Sequence, residues 1–175
     1  MTNGVVLAYH AVGSCAPEDD PHHLFVTPTT FERHMAFLAK RKRVVTLEDA
    51  LGGGPPGRVA ITFDDAYRNV AEVASPILER YGFPATVFAP TGFLDGTNTW
   101  DDPSPCDLSI ASADELAALA RRNVTIESHG HGHIDMASSP TADVVADLAT
   151  SRGLIQDITG RAPRYLAYPF GRSSG

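Results

Sequence analysis

Two acids stand side by side at Asp64-Asp65, directly behind the apolar run Val59 to Phe63, and two imidazoles stand four residues apart at His129 and His133 in the tract His-Gly-His-Gly-His. Adjacent carboxylates raise one another's pKa unless a cation, a proton or open water lies between them. Alone, the acid pair has an ordinary explanation, since Asp caps helices well and a helical pattern begins just behind it. The histidine tract alone has one too, as a polar surface loop with incidental imidazoles. Together they have a chemical one. Two imidazoles and a carboxylate form a ligand set for a divalent cation, with a position left open for water. The carboxylate that stays off the cation can then take a proton from the bound water, whose pKa the cation has lowered. The hydroxide so formed attacks a carbonyl, whose oxyanion the cation and a backbone N–H stabilise. The chemistry reached in this way is metal-assisted hydrolysis of an amide or ester.

On a helix, the i, i+4 spacing of His129 and His133 would put both on one face, as in the HExxH zinc proteases. Gly130 and Gly132 argue against a helix, each weakening it by about 1 kcal/mol relative to Ala. No Glu follows His129, so a protease of that kind is disfavoured. The residues must instead be gathered by the fold. The apolar run 5–9 reads as a fully buried strand ending at His10, and further strands are expected over 44–45, 59–63, 85–89, 124–126 and 165–168. Helices are expected over 28–40, behind the Thr27-Pro28 start, over 67–81 with a kink or a local loosening at Pro76, and from the Ser112/Glu115 capping box. One helical turn is expected over 46–50, and Ser139-Pro140 opens a last helix that stops at Gly160. Strands alternating with helices imply a parallel sheet or barrel, in which every strand ends on one edge. His10, Asp64-Asp65, His129 with His133, and Pro169-Phe170 each follow a strand, so they should converge on one mouth. Trp100, in a long loop over 90–109, is either a sugar-stacking platform or a ring covering the core rim.

The length of 175 residues fits one domain with a substantial core, and 43% hydrophobic and 20% charged residues are ordinary for a globular protein. A net charge of -7 disfavours an unassisted grip on nucleic acid. The one basic run, Lys40-Arg41-Lys42-Arg43, reads as the solvated end of a helix. The Gly/Pro stretch 52–57 lacks the Lys-Ser/Thr of a phosphate loop. Cys15 and Cys106 fit no metal spacing and are expected to be free thiols. No signal peptide and no apolar stretch long enough to span a bilayer is present, so the chain as given is expected to be soluble and cytoplasmic, with export of a longer precursor left open. Oligomeric state is not legible.

Across 5–171 the chain resembles the polysaccharide deacetylases, the NodB-homology domain of carbohydrate esterase family 4. The resemblance rests on Leu7-Ala8-Tyr9-His10, Val26-Thr27-Pro28 with Phe31, Thr62-Phe63-Asp64-Asp65, Phe83-Pro84-Ala85-Thr86, Ser128-His129 with His133, and Ala167-Tyr168-Pro169-Phe170-Gly171. It implies a distorted (β/α) barrel, here lacking its last strands, and removal of an N-acetyl or O-acetyl group from a carbohydrate. It also implies roles: Asp64 as general base, Asp65, His129 and His133 as ligands of a divalent metal, usually zinc, and the Phe170 backbone N–H at the oxyanion. Trp100 and Tyr168 are candidate substrate contacts. Two departures stand out. Ala167 occupies the place where chitin and peptidoglycan deacetylases carry an Arg that orients the base, as in a branch acting on exopolysaccharides. The motif whose His protonates the leaving amine is absent, leaving His10 as a candidate for that role, with a structural hydrogen bond as the alternative. Two other readings stay open: a metal- and sugar-binding fragment without turnover, and an amidohydrolase acting on a small non-sugar amide.

Overall fold

The computed structural model describes residues 4–53, 55–100 and 108–172. In chain order the main elements are β1 (Val5–Tyr9), β2 (Ala11–Val12), β3 (Phe25–Val26), α1 (Pro28–Arg41), β4 (Arg43–Val44), α2 (Leu47–Leu51), β5 (Arg58–Phe63), α3 (Ser75–Tyr81), β6 (Ala85–Ala89), α4 (Ala113–Ala120), β7 (Val124–Ser128) and α5 (Thr141–Thr159). The long strands lie in the order β1-β5-β6-β7, with β4 also pairing β5, and every pairing is parallel. The chain therefore adopts the expected α/β fold built on a parallel sheet. The register sets Tyr9 beside Phe63, Phe63 beside Val87, and Ala89 beside Ser128, which brings the strand ends to one edge.

Local chemistry explains most boundaries. Thr27 caps α1 by accepting from the Thr30 N–H, and Pro28 supplies the first helical position. Phe31, Met35 and Leu38 of α1 are all buried, as their spacing predicts. The capping box of α4 is formed, Ser112 and Glu115 each serving the other's backbone. Gly82 and Gly160 end α3 and α5 in the left-handed conformation. Under the β1–β5 edge, the rings of Tyr9, Phe31 and Phe63 pack with centroids 5.1 to 5.8 Å apart. Burying each phenylalanine is worth about 1.5–3 kcal/mol.

Four expectations need correction. The run 5–9 is a strand but not a fully buried one, because Val5 and Val6 are exposed. Among the described residues, β1 pairs with β5 alone. The helix expected over 67–81 is instead a π-helical stretch, Val70–Ala74, followed by α3. Ser75 N–H bonds to Val70 O, and Pro76 next to it has no N–H, so the perturbation at Pro76 takes the form of a wide turn, a local loosening and not a kink. The segment 165–168 is not a strand. It makes one bridge to β7, at Leu166, because the Glu127 carboxylate takes the Tyr165 N–H that a ladder would otherwise use, together with the Arg164 N–H beside it. Finally, Cys15 is disulfide-bonded rather than a free thiol. Proximity in the fold decides pairing, and spacing in the sequence does not reveal it. Residues 101–107 of the expected 90–109 loop, Cys106 among them, and the terminal residues 173–175 lie outside the described residues. Among the described residues no helix is long and apolar enough to cross a membrane.

Candidate metal centre

The first contributor is the corner that ends β5. Asp64 N–H bonds to Tyr9 O, extending the β1–β5 ladder by one residue. Asp65 and Ala66 then turn into the left-handed region, with φ of 67° and 52°. That conformation is uncommon for residues other than glycine, and non-glycine residues held in it concentrate at functional sites. The turn drives the Asp65 side chain inward, where the residue is buried, and leaves Asp64 half-buried beside it.

The second contributor is the loop leaving β7. His129 N–H bonds to Ala89 O, and the ring Nδ1 lies 2.9 Å from Ala167 O. A carbonyl only accepts, so Nδ1 donates there and Nε2 is the nitrogen left to face Asp65 or a cation. His133, with φ 48°, points its Nε2 to the same place. Both Nε2 atoms lie 3.3 Å from Asp65 Oδ1, and one ligand atom from each of the three residues falls within 4.8 Å of the others. Rings hold His133 in place. Trp100 stacks on it at 4.1 Å, and His129 and Phe170 meet it edge-on at 4.9 Å, while its buried Nδ1 has no hydrogen-bond partner.

The electrostatics suit a cation. Burial raises the Asp64 carboxyl, and Asp65 raises it further against the pull of His129, His10 and His133. For Asp65, burial acts to raise the pKa, but hydrogen bonds from His129 and His133 outweigh it and hold the carboxyl well below the usual range. Burial acts to lower His129, and the hydrogen bond and charge of Asp65 outweigh it, so its pKa is raised. Asp65 is thus ionised beside two imidazoles that both turn Nε2 toward it. A two-nitrogen, one-oxygen donor set of this kind fits zinc and related divalent ions, with room for water.

All eight candidate residues line one cavity of about 700 Å³. Asp64, Asp65, His129 and His133 form one side, with His10 at the end of β1, while Trp100, Tyr168 and Phe170 form an aromatic wall. Tyr168 and Phe170 are exposed, and Phe170 has φ 61°. Trp100 partly serves His133 and partly faces the cavity. His131 turns aside, half-buried, with Nδ1 3.1 Å from Thr91 Oγ1, and does not join the ligand set.

Four contributors escape a sequence reading. His22 and Leu24 reach the cavity because the short β2–β3 pairing folds their loop back over it. The Ala167 carbonyl orients His129, and a backbone group has no sequence signature. Glu127, fully buried, binds Arg161 Nη2 at 2.6 Å and the Arg164 and Tyr165 amides at 2.6 and 2.9 Å, which docks the segment leading to Ala167 against β7. An acid directly behind the expected buried strand 124–126 was the available signal, because a carboxylate carried into the core by that strand requires partners.

Known proteins share this arrangement of chain. The Bacillus subtilis (strain 168) protein YxkH is similar at 24% identity over 177 residues, which cover 95% of this chain and 56% of that protein. The poly-beta-1,6-N-acetyl-D-glucosamine N-deacetylase of Staphylococcus aureus (strain MRSA252) is 26% identical over 161 residues, 83% of this chain and 53% of the relative. The chain thus spans about half the length of these curated relatives. The solved structure of IcaB from Ammonifex degensii superposes with a TM-score of 0.81 at 22% identity, over 97% of this chain and 75% of that one. Streptococcus pyogenes deacetylase PplD, in complex with acetate, gives 0.81 at 21% over 97% and 74%. At these identities the two structures establish the fold. The family model described as polysaccharide deacetylase matches residues 52–175, a span that carries both acids, both imidazoles and the Phe170 turn, and the chain belongs to that family.

Proposed function

We propose that this chain is a metal-dependent hydrolase that removes N-acetyl, or O-acetyl, groups from a carbohydrate. The observation that carries the reading is the buried Asp65, His129 and His133 cluster, with a second carboxylate beside it at the floor of an open cavity. Asp65, His129 and His133 would hold a divalent cation, most readily zinc, which when bound supplies Lewis acidity toward the acetyl carbonyl and a lowered pKa for water. Asp64, kept off the cation, takes the proton from the attacking water, a role favoured by its raised pKa. The Phe170 backbone N–H donates to the developing oxyanion. His10, on the same cavity and close enough for its charge to act on both acids, returns a proton to the leaving amine. Trp100 and Tyr168 stack on the sugar rings. The S. aureus relative's name supports a polymer of β-1,6-linked N-acetylglucosamine as the substrate to try first.

The test is acetate release from such an oligomer by the purified chain, before and after chelation and with zinc restored. Release that depends on added metal and is lost in Asp64→Asn is the expected result. A chain that holds one equivalent of metal, binds the oligomer and frees no acetate would instead be a sugar-binding module.

A further inference from the structure

The backbone N–H groups of the loop between the two candidate ligand imidazoles are held from the side of α5. Asp147 Oδ2 accepts the His131 N–H at 2.7 Å, and Asp147 Oδ1 accepts the Gly132 N–H at 2.6 Å. One turn further along the same helix face, Ser151, fully buried, meets Ser128 Oγ at 2.8 Å, and that hydroxyl accepts the Gly130 N–H at 3.1 Å. Three consecutive backbone donors between His129 and His133 are therefore satisfied, directly or through Ser128, by two side chains of one helix. The loop's carbonyls are fixed from the opposite side, where Thr91 N–H bonds to Gly130 O and Gly92 N–H to His131 O.

The glycines of the tract now have a reason. Gly130 has φ +78°, and a Cβ there would lie 2.7 Å from Asp147 Oδ2. A Cβ on Gly132 would lie 3.2 Å from Asp147 Oδ1. The sequence alternates imidazoles with glycines because the carboxylate must come that close to the backbone. A carboxylate chelating two adjacent N–H groups fixes both the position and the tilt of the loop, and hence the separation of the rings at its two ends.

We infer that Asp147, with Ser151 beside it, is a positioning device that presets the spacing of His129 and His133 for the cation. The inference rests on the metal-site reading above. Groups that orient metal ligands by hydrogen bonds typically change metal affinity about 10- to 100-fold when removed, and Asp147 does so through the backbone that carries the ligands.

The test uses cobalt(II) as the probe: its affinity by competition with a chromophoric chelator, its visible band when bound, and the melting temperature of the metal-free protein. Asp147→Asn keeps the size of the side chain but turns an amide NH₂ toward a backbone N–H. It is expected to weaken cobalt binding about 10- to 100-fold and to alter the visible band, while the metal-free protein stays folded with a modestly lowered melting temperature. Ser151→Ala should act in the same direction with a smaller loss, and it carries the test by the same criteria if Asp147→Asn does not fold. Variants that bind cobalt within about twofold of wild type with an unaltered band overturn the inference. So does an affinity loss with an unaltered visible band, since that marks a bond that only holds the fold together. His129→Ala separates this from the parent reading. If wild type takes up no cobalt, or His129→Ala takes up as much, the metal site itself falls; if His129→Ala abolishes uptake and the α5 variants do not weaken it, only the positioning role falls.

Discussion

At the end of β5, Asp65 reaches the ligand position through its own neighbours: Phe63 anchors the strand in the core, and Asp65 and Ala66 make the left-handed turn. At the end of β7, His129 and His133 reach theirs through residues far along the chain. Ala167 O fixes one ring, Trp100 and Phe170 hold the other, and Glu127 docks the segment that carries Ala167. The first corner is a matter of backbone conformation and apolar burial, and the second of hydrogen bonds between distant side chains and backbone. A substitution should therefore damage the first by unfolding the strand end, and the second by moving a ligand within an intact fold.

The largest effects come from deleting a ligand at either corner, where the two should behave alike. Asp65→Ala and His129→Ala are each expected to lose bound zinc on dialysis and to drop acetate release to background, read by elemental analysis and an acetate assay. Asp64→Asn marks the boundary of the ligand set. It should keep its zinc and lower acetate release by about 10²- to 10⁴-fold, the usual worth of a general base; loss of zinc in that variant would mean that both acids ligate. Acid should discriminate between the corners. The cation needs a neutral ring at His129, whose pKa the Asp65 carboxylate raises above the ordinary value of about 6.5. Falling pH protonates that ring, so apparent metal affinity should decline on the alkaline side of the ordinary imidazole range. Asp65, held low, stays ionised throughout. A cobalt titration between about pH 8 and about pH 5 gives the midpoint. One below the ordinary imidazole value would contradict the assigned Asp65–His129 coupling.

Stability measurements sharpen the same contrast. Phe63, fully buried between Tyr9 and Phe31, leaves a cavity when cut back, so Phe63→Ala should lower unfolding free energy by about 3–5 kcal/mol in urea. Glu127→Gln removes the charge that three donors share and should lower it by about 1–3 kcal/mol. For equal loss of stability, the Glu127 variant should lose more metal affinity, because its effect runs through Ala167 O to His129. Equal losses per unit of stability would erase the distinction between the corners.

The same distinction decides what the sequence could disclose. The β5 corner was readable, since an apolar run, two acids and a helix start are all local, as were the caps at Thr27 and Ser112 and the stops at Gly82 and Gly160. The convergence of His10, Asp64, Asp65 and the imidazoles was readable too, because parallel topology alone requires it. Non-local partners were not. Tyr165 to Tyr168 has the apolar pattern of a strand, and only the position of Glu127 shows why it makes a single bridge. The exposure of Val5 and Val6 depends on how many neighbours β1 has, and the pairing of Cys15 on distance in the fold.

The smallest effect belongs to the rim. Arg172, just past the Phe170 turn, meets Asp135, just past His133, at 3.0 Å, and so ties the two segments that flank the second ring. Its side chain is 70% exposed, and an ion pair in that setting is screened by salt and offset by the entropy of holding a long side chain still. Arg172→Ala is therefore expected to leave the melting temperature and zinc content unchanged. A small rise in KM, with kcat unaltered, should appear at low ionic strength and vanish at high salt, where the wild-type latch is already screened. A fall in zinc content in this variant would extend the long-range support of the β7 corner out to the solvent-exposed rim, and the division between a locally built and a remotely built corner would have to be redrawn there.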